Sequence, residues 1–305
     1  MKHFISLYDL TTDEIYQLLN LSIKLKKQLK ANEDHHILSG KTLGMIFTKS
    51  STRTRVSFEV GMYQLGGMAL FLNPNDIQLG RGETIEDTAQ VLSRYLDGIM
   101  IRTFQHSDVL ALAEYGTIPV INALTDDEHP CQVLADFLTI YEHKSRLKGL
   151  KLAYIGDGNN MANSLLQGCA KVGMDISVAS PEKYTCNLKY VEQAKEVAVK
   201  TGAKVVITLD PAEAAANADI IYTDTWASMG QEDEKAERTE IFLPYQVNDA
   251  LFSDAKNDAI FMHCLPAYRG YEVTESVIDG PRSVVFDEAE NRLHAQKAIM
   301  AVLMG

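Results

Sequence analysis

Apolar positions along this chain fall into two kinds of run, and the two alternate. Between Asp9 and Lys30, Leu18, Leu21 and Leu25 recur on one face, with Thr11 or Thr12 ahead of them and Glu14 in the first turn. That spacing predicts an amphipathic helix with a capped start. Thr42 to Phe47 is short, apolar and partly β-branched, the mark of a strand, and Val56 to Leu65 then reads as a helix. Leu70 to Leu72 is a further short strand, and residues 73–81 are a loop rich in turn formers. Glu83 to Tyr95 reads as a helix. Gly98 to Ile101 is a buried strand ending at Arg102. Val120 to Asn122 is a strand leading to His129, and Cys131 to His143 is a helix with Pro130 suited to its first turn.

The pattern restarts at Lys151 to Ile155. Strand signals recur at 176–179, 204–207, 220–222, 259–262 and 283–286, with helical spacing in most intervals. Alternation of this kind predicts an α/β protein whose parallel sheets are covered on both faces. A length of 305 residues suits two domains. We place them at 1–147 and 148–288, each a central parallel sheet flanked by helices. A last helix, 289–305, is expected to pack back on the first domain, which periodicity alone does not give.

Charge narrows the function classes. The net charge is −12, from 29 basic and 41 acidic residues, with no basic arm or stripe to neutralise a nucleic-acid backbone. Positive potential focused inside a cleft stays open. No apolar run reaches membrane-spanning length, and Met1 to Ile5 lacks the apolar core of a signal peptide, so no membrane partner and a cytoplasmic location are expected. Cys131, Cys169, Cys186 and Cys264 are widely separated and form no paired metal motif, which fits a reducing compartment.

Polar residues gather just beyond the strand ends, where open α/β sheets place their ligands. Ser51, Thr52, Arg53 and Thr54 bring hydroxyls, a guanidinium fork and helix N–H groups to the end of the 42–47 strand, which suits phosphate. The plainer alternative is a helix cap with solvated arginines, and Arg55 has a structural ion pair as its alternative. Arg102 is either a ligand group at a sheet edge or a surface arginine. His129 and Gln132 are three apart, so one helical turn aims both at a carbonyl oxygen that gains charge, with Cys131 between them facing the core. Gly156 to Asn160 follows a strand but lacks the spaced glycines of a dinucleotide turn. No nicotinamide cofactor is expected, and the asparagines suit a zwitterion. Asp224 can pair with an ammonium, or belong with Ser228 and Met229 to an ordinary polar loop. Cys264 is a nucleophile, a hydrogen-bonding partner or inert; no adjacent triad calls for covalent chemistry. His263 and Cys264 alone are not a metal site. Arg292 either adds a positive group to the anion site or is a solvated helix residue.

Taken together, Ser51-Thr52-Arg53-Thr54, His129-Pro130-Cys131-Gln132 and His263-Cys264-Leu265-Pro266 resemble the aspartate/ornithine carbamoyltransferase family over essentially the whole chain. Asp224-Thr225-Trp226-Ala227-Ser228-Met229-Gly230 narrows the resemblance to the ornithine branch. The aspartate branch is expected to carry a Pro-Gly-Pro element near 266, where this chain has Leu265-Pro266-Ala267-Tyr268-Arg269-Gly270. The putrescine branch differs at Ser228-Met229-Gly230. The resemblance implies the fold of that family and a homotrimer, sometimes assembled further, with active sites between the domains near a subunit boundary. It implies a carbamoyl phosphate site of Ser51, Thr52, Arg53, Thr54, Arg102, His129, Pro130, Cys131, Gln132, Cys264, Leu265 and Arg292, with Gln78 reaching across from a neighbouring subunit. Within that motif Cys131 is given no chemical role. Asn160, Asp224, Ser228 and Met229 are the implied ornithine contacts, and 224–240 resembles the family's closing loop.

The implied reaction is carbamoyl phosphate plus L-ornithine giving L-citrulline and phosphate, a step of arginine metabolism in either direction, with no metal or cofactor. Arg102, His129, Gln132 and Thr54 are the expected catalytic groups, with Cys264 near the carbamoyl group and the amine. Two rivals are the same chemistry on putrescine or N-acetylornithine, and a non-enzymatic phosphometabolite-binding protein.

Overall fold

The computed structural model describes residues 1–78, 82–227 and 234–305. The chain forms two compact units, Met1–Leu138 with Glu290–Gly305, and Thr139–Ala289. The division falls inside the helix Pro130–Lys144, upstream of the 147/148 boundary expected from the sequence. A loop-forming stretch is what marks a boundary in sequence, whereas here a continuous helix carries the chain across. Among the described residues no helix is long and apolar enough to cross a membrane.

The first unit is built on four parallel strands, β1 (Thr42–Phe47), β2 (Met68–Leu72), β3 (Gly98–Arg102) and β4 (Val120–Leu124), in the order β2-β1-β3-β4. β3 and β4 are buried along their whole length, which is why they read as uninterrupted apolar runs. Ile46, Ile99, Ile101 and Val120 pack with Ala89, Val109 and Leu112 into one core. The helix Thr12–Lys30 starts in a capping box: Thr11 Oγ1 accepts from Glu14 N at 3.2 Å, and the Glu14 carboxylate accepts from Thr11 N at 2.8 Å.

The second unit has five parallel strands, β5 (Lys151–Ile155), β6 (Asp175–Ala179), β7 (Val205–Thr208), β8 (Ile220–Thr223) and β9 (Ile260–His263), in the order β7-β6-β5-β8-β9. Its core includes Ile155, Ile221, Trp226, Phe242 and Phe261. The predicted strand at 283–286 is not formed. Ser283 makes an isolated bridge to Phe261, and a helix, Val285–Met304, begins at once, earlier than the expected 289. A four-residue apolar run does not discriminate helix from strand, and Asp287 and Glu288 suit the positive end of a helix.

Strand order fixes where ligands can sit. In the first sheet the chain leaves β1 toward one edge and β3 toward the other, so a crevice opens at their C-terminal ends, where Phe47 lies opposite Arg102. In the second sheet the same reversal lies between β5 and β8, just beyond Tyr154 and Tyr222, which are register partners.

The final helix also sets an acid limit on stability. Burial pulls His294 down to about 4 from 6.5, partly offset by its hydrogen bond to Glu290 at 3.3 Å. The unfolded chain then binds more protons than the folded one between these values. This contribution is therefore complete above pH 6.5 and is lost as pH falls toward 4, by roughly 3 kcal/mol in all. Chemical denaturation at pH 7.5 and 4.5 is expected to show His294→Gln losing about 1–3 kcal/mol less than the parent chain; equal losses would contradict the assignment.

Candidate active site

The first unit brings its predicted residues to the β1/β3 crevice. Ser51 caps the helix Thr52–Gln64, its Oγ accepting from Thr54 N at 3.1 Å and donating to Thr54 Oγ1 at 3.0 Å. Arg292, from the final helix, is buried rather than solvated. It donates from Nη1 to Gln132 Oε1 at 2.7 Å and from Nη2 to Thr54 Oγ1 at 3.3 Å. Gln132 in turn donates to Asp136 at 2.8 Å. Thr54 Oγ1 therefore accepts twice, and the hydroxyl proton is what it has left to offer a ligand. Thr52 is exposed and Arg53 half-buried. An open cavity of about 610 Å³ borders Ser51 and Thr52.

Arg102 is buried at the end of β3, and His129 is buried directly before the helix Pro130–Lys144. The His129 imidazole is held well below its usual pKa, first by burial and then by the positive charges of Arg292, Arg102, Arg53 and Lys49. It is neutral at pH 7 and keeps one N–H to donate. Four cations around one imidazole, in a chain of net charge −12, make a focused anion site.

One cation was missed in the sequence, and two open alternatives are decided by the contacts. Lys49 was not singled out from the sequence; it is buried, pairs with Asp126 at 2.5 Å and lies 4.6 Å from the Phe104 ring centroid. Its signal was its place two residues past a strand end. Arg55 takes the structural role, pairing with Glu59 at 3.6 Å over the Phe71 ring. Cys131 faces the core, its thiol donating to the Asn122 carbonyl at 3.3 Å and pushed up to about 12 by burial. Its backbone is what it can offer a ligand. Gln78 is exposed on the loop after β2.

In the second unit, the turn after β5 and the segment after β8 meet. Gly156 has φ +145, and a Cβ on Gly158 would lie 2.3 Å from Cys186 N. Asn159 caps the helix Asn160–Val172 and donates from Nδ2 to Asp224 Oδ2 at 2.9 Å. Asp224 Oδ1 accepts from Thr225 N at 2.8 Å and from the Cys264 thiol at 3.1 Å. Asn160 is half-buried at the first position of that helix. Ser228 and Met229 lie outside the described residues.

The turn carrying Cys264 and Leu265 is held from behind. Leu265 has φ +56, and its N–H donates to His263 Nδ1 at 2.9 Å, which puts the ring proton on Nε2 facing Glu272 at 3.2 Å. Donor atoms of Asp224, His263 and Cys264 lie within 4.8 Å of one another. Each is already engaged in these hydrogen bonds, so we read the group as a polar network. Asp157 forms an ion pair with Arg238 at 2.8 Å, and Arg238 also donates to the Trp226 carbonyl at 2.8 Å. Burial pushes Asp157 up to about 6 against the pull of Arg238.

Residues 2–142 match the model for the carbamoyl-P binding domain of aspartate/ornithine carbamoyltransferases, and residues 148–303 the model for the Asp/Orn binding domain. The chain belongs to the aspartate/ornithine carbamoyltransferase family. It is 61% identical over 303 residues to an ornithine carbamoyltransferase of Anoxybacillus flavithermus, covering 99% of this chain and 96% of that protein. It is 60% identical over 300 residues to that of Caldicellulosiruptor saccharolyticus, covering 98% and 97%. A solved structure of the Pyrococcus furiosus ornithine carbamoyltransferase has a TM-score of 0.97 at 55% identity, covering 100% of this chain and 97% of that chain. Lys49, Arg53, Arg102 and His129 thus lie in the part that matches the carbamoyl-P binding domain, and Arg292 in the part that matches the Asp/Orn binding domain.

The close approach at Gly158 gives a direct check on the turn. A Cβ there would also meet Thr185 C at 2.4 Å and Tyr184 O at 2.7 Å, all backbone atoms. Gly158→Ala is expected to cost roughly 2 kcal/mol or more in chemical denaturation. An unchanged midpoint would mean that the turn is not held against 184–186.

Proposed function

We infer that this chain transfers the carbamoyl group of carbamoyl phosphate to the δ-amine of L-ornithine, giving L-citrulline and phosphate. The convergence of Arg53, Arg102, Arg292 and Lys49 on His129 is the observation that carries this reading, because only an anionic ligand makes so concentrated a positive site worth building. Carbamoyl phosphate binds first. Ser51, Thr52, Arg53 and Thr54 hold its phosphate with the N–H groups of the helix start, and Arg292 adds charge from behind. Arg102, neutral His129, Gln132 and the Thr54 hydroxyl stabilise the carbonyl oxygen as it gains charge.

Asp224 takes the α-ammonium of ornithine and leaves the δ-amine to react. Asn160, Ser228 and Met229 align the rest of the amino acid, which makes the attack effectively intramolecular. Enclosure favours the neutral amine. The amine nitrogen bonds to the carbamoyl carbon, the carbon–oxygen bond to phosphate breaks, and the amine proton passes to a phosphate oxygen. Cys264 and Leu265 border the carbamoyl group and the amine. Gln78 comes from a neighbouring subunit of a homotrimer in the cytoplasm. Exposed apolar side chains on β2 and the helix Thr52–Gln64, among them Val56, Tyr63, Met68 and Phe71, support a subunit contact there.

Carbamoyl phosphate offered with L-ornithine, putrescine, N-acetylornithine and L-aspartate in parallel tests this directly. Citrulline from ornithine alone is expected, and Arg102→Ala is expected to lower kcat by about 100-fold or more with the fold intact. Preference for another amine would overturn the second substrate, and no turnover at all would overturn the activity.

A further inference from the structure

Asp224 carries the reading of the ornithine site, yet a carboxylate is only useful there if it is ionised and correctly turned. Its surroundings are crowded with other groups that titrate or carry charge. Tyr154 lies on β5, Asp157 in the turn after it with Arg238 against it, His263 at the end of β9 and Cys264 just after it. One neutral side chain sits among them with its orientation fully determined. Asn159 Oδ1 accepts from Met161 N at 2.9 Å, from Ala162 N at 3.3 Å and from the Tyr154 hydroxyl at 3.2 Å. The helix start fixes two of these donors as backbone N–H groups, so the amide cannot be reversed. Nδ2 must then face Asp224 Oδ2, where it sits at 2.9 Å.

We propose that Asn159 is a positioning residue for ornithine: its amide N–H fixes the Asp224 carboxylate in place and in one orientation. The same amide does two jobs, capping the helix with its oxygen and supporting Asp224 with its nitrogen. The other carboxylate oxygen is fixed by Thr225 N and Cys264, so Asp224 is held at both oxygens. Tyr154 stays protonated, because burial first and then the charge of Asp224 push its pKa well up. It can therefore donate to Asn159 throughout the working range.

This inference rests on Asp224 as the ornithine ligand, and its test separates the two. Asn159→Ser keeps a good capping oxygen but removes the donor. Asn159→Asp keeps the shape and cap but places a second carboxylate against Asp224, so that the pair shares a proton near neutrality. Both variants, in the full chain, are expected to raise the KM for ornithine tenfold or more, the usual worth of a hydrogen bond to a charged group. The KM for carbamoyl phosphate should stay within about twofold, because the loss is confined to an interaction with the other substrate. For Asn159→Asp the deficit relative to the parent chain should shrink as pH rises from 7 to 8.5, since the shared proton is lost. A purely structural cap would leave Asn159→Ser at the parent KM, and that result overturns the proposal. Asp224→Asn is the control: if it raises the ornithine KM while Asn159→Ser does not, Asn159 alone is wrong. An unchanged KM in Asp224→Asn would overturn the ornithine reading itself, and the role of Asn159 with it.

Discussion

One buried guanidinium ties the first unit's site together. Arg292 is 2% exposed and spans the side chains of Thr54 and Gln132, so the final helix, the helix Thr52–Gln64 and the helix Pro130–Lys144 share a single charged knot. The Gln296 carbonyl, in its better amide orientation, accepts from the same guanidinium at 2.8 and 3.2 Å. Burying such a charge is costly unless its donors are satisfied. Here the satisfied donors are also what set the ligand groups: Thr54 is left to donate because Arg292 and Ser51 occupy its acceptor sites, and Gln132 is turned by Arg292 and Asp136. Burial first, and then the positive charge that remains, holds His129 neutral.

The second unit solves the opposite electrostatic problem with the same architecture. At the β5/β8 reversal the proposed function asks for a carboxylate, and Asp224 there is surrounded by neutral donors, Asn159, Thr225 N–H and the Cys264 thiol. The cationic Arg238 is spent one step away, on Asp157. Under the proposed function, keeping a cation off Asp224 leaves the carboxylate to an incoming ammonium. Both sites therefore follow from one feature of open parallel sheets: the point where strand order reverses leaves a crevice, and the loops beyond it carry the chemistry.

How much of this was legible in the sequence depends on how local each signal is. Ser51 to Thr54 were legible because they follow a strand end within a few residues, and Arg102 because it is the polar last residue of an apolar strand. Lys49 follows the same rule and still passed unnoticed, because a lysine is ordinarily solvated and its inward pull comes from Asp126 and Phe104, far along the chain. By residue type alone the paired asparagines after β5 were equivalent ligand candidates, and it was the family resemblance that singled out Asn160. Only the position of the helix start separates Asn159, consumed as a cap, from Asn160, the first helical residue. The Asp157–Arg238 pair joins the turn after β5 to the helix Lys235–Phe242, distant in sequence, and leaves no local pattern. The strand predicted at 283–286 and not formed shows the reverse error, a short apolar run whose true state is set by the acidic first turn that follows it.

Under the proposed function, the guanidinium-linked cationic crevice of the first unit binds carbamoyl phosphate before any amino acid is present. Calorimetric titration of carbamoyl phosphate into the parent chain, Arg292→Met and Arg292→Lys, without ornithine, tests it most directly. The account predicts binding by the parent chain and at least about tenfold weaker binding in Arg292→Met. Arg292→Lys should rescue little, because an ammonium lacks the planar fork that bridges Thr54 and Gln132. Equal affinity in all three proteins would contradict it.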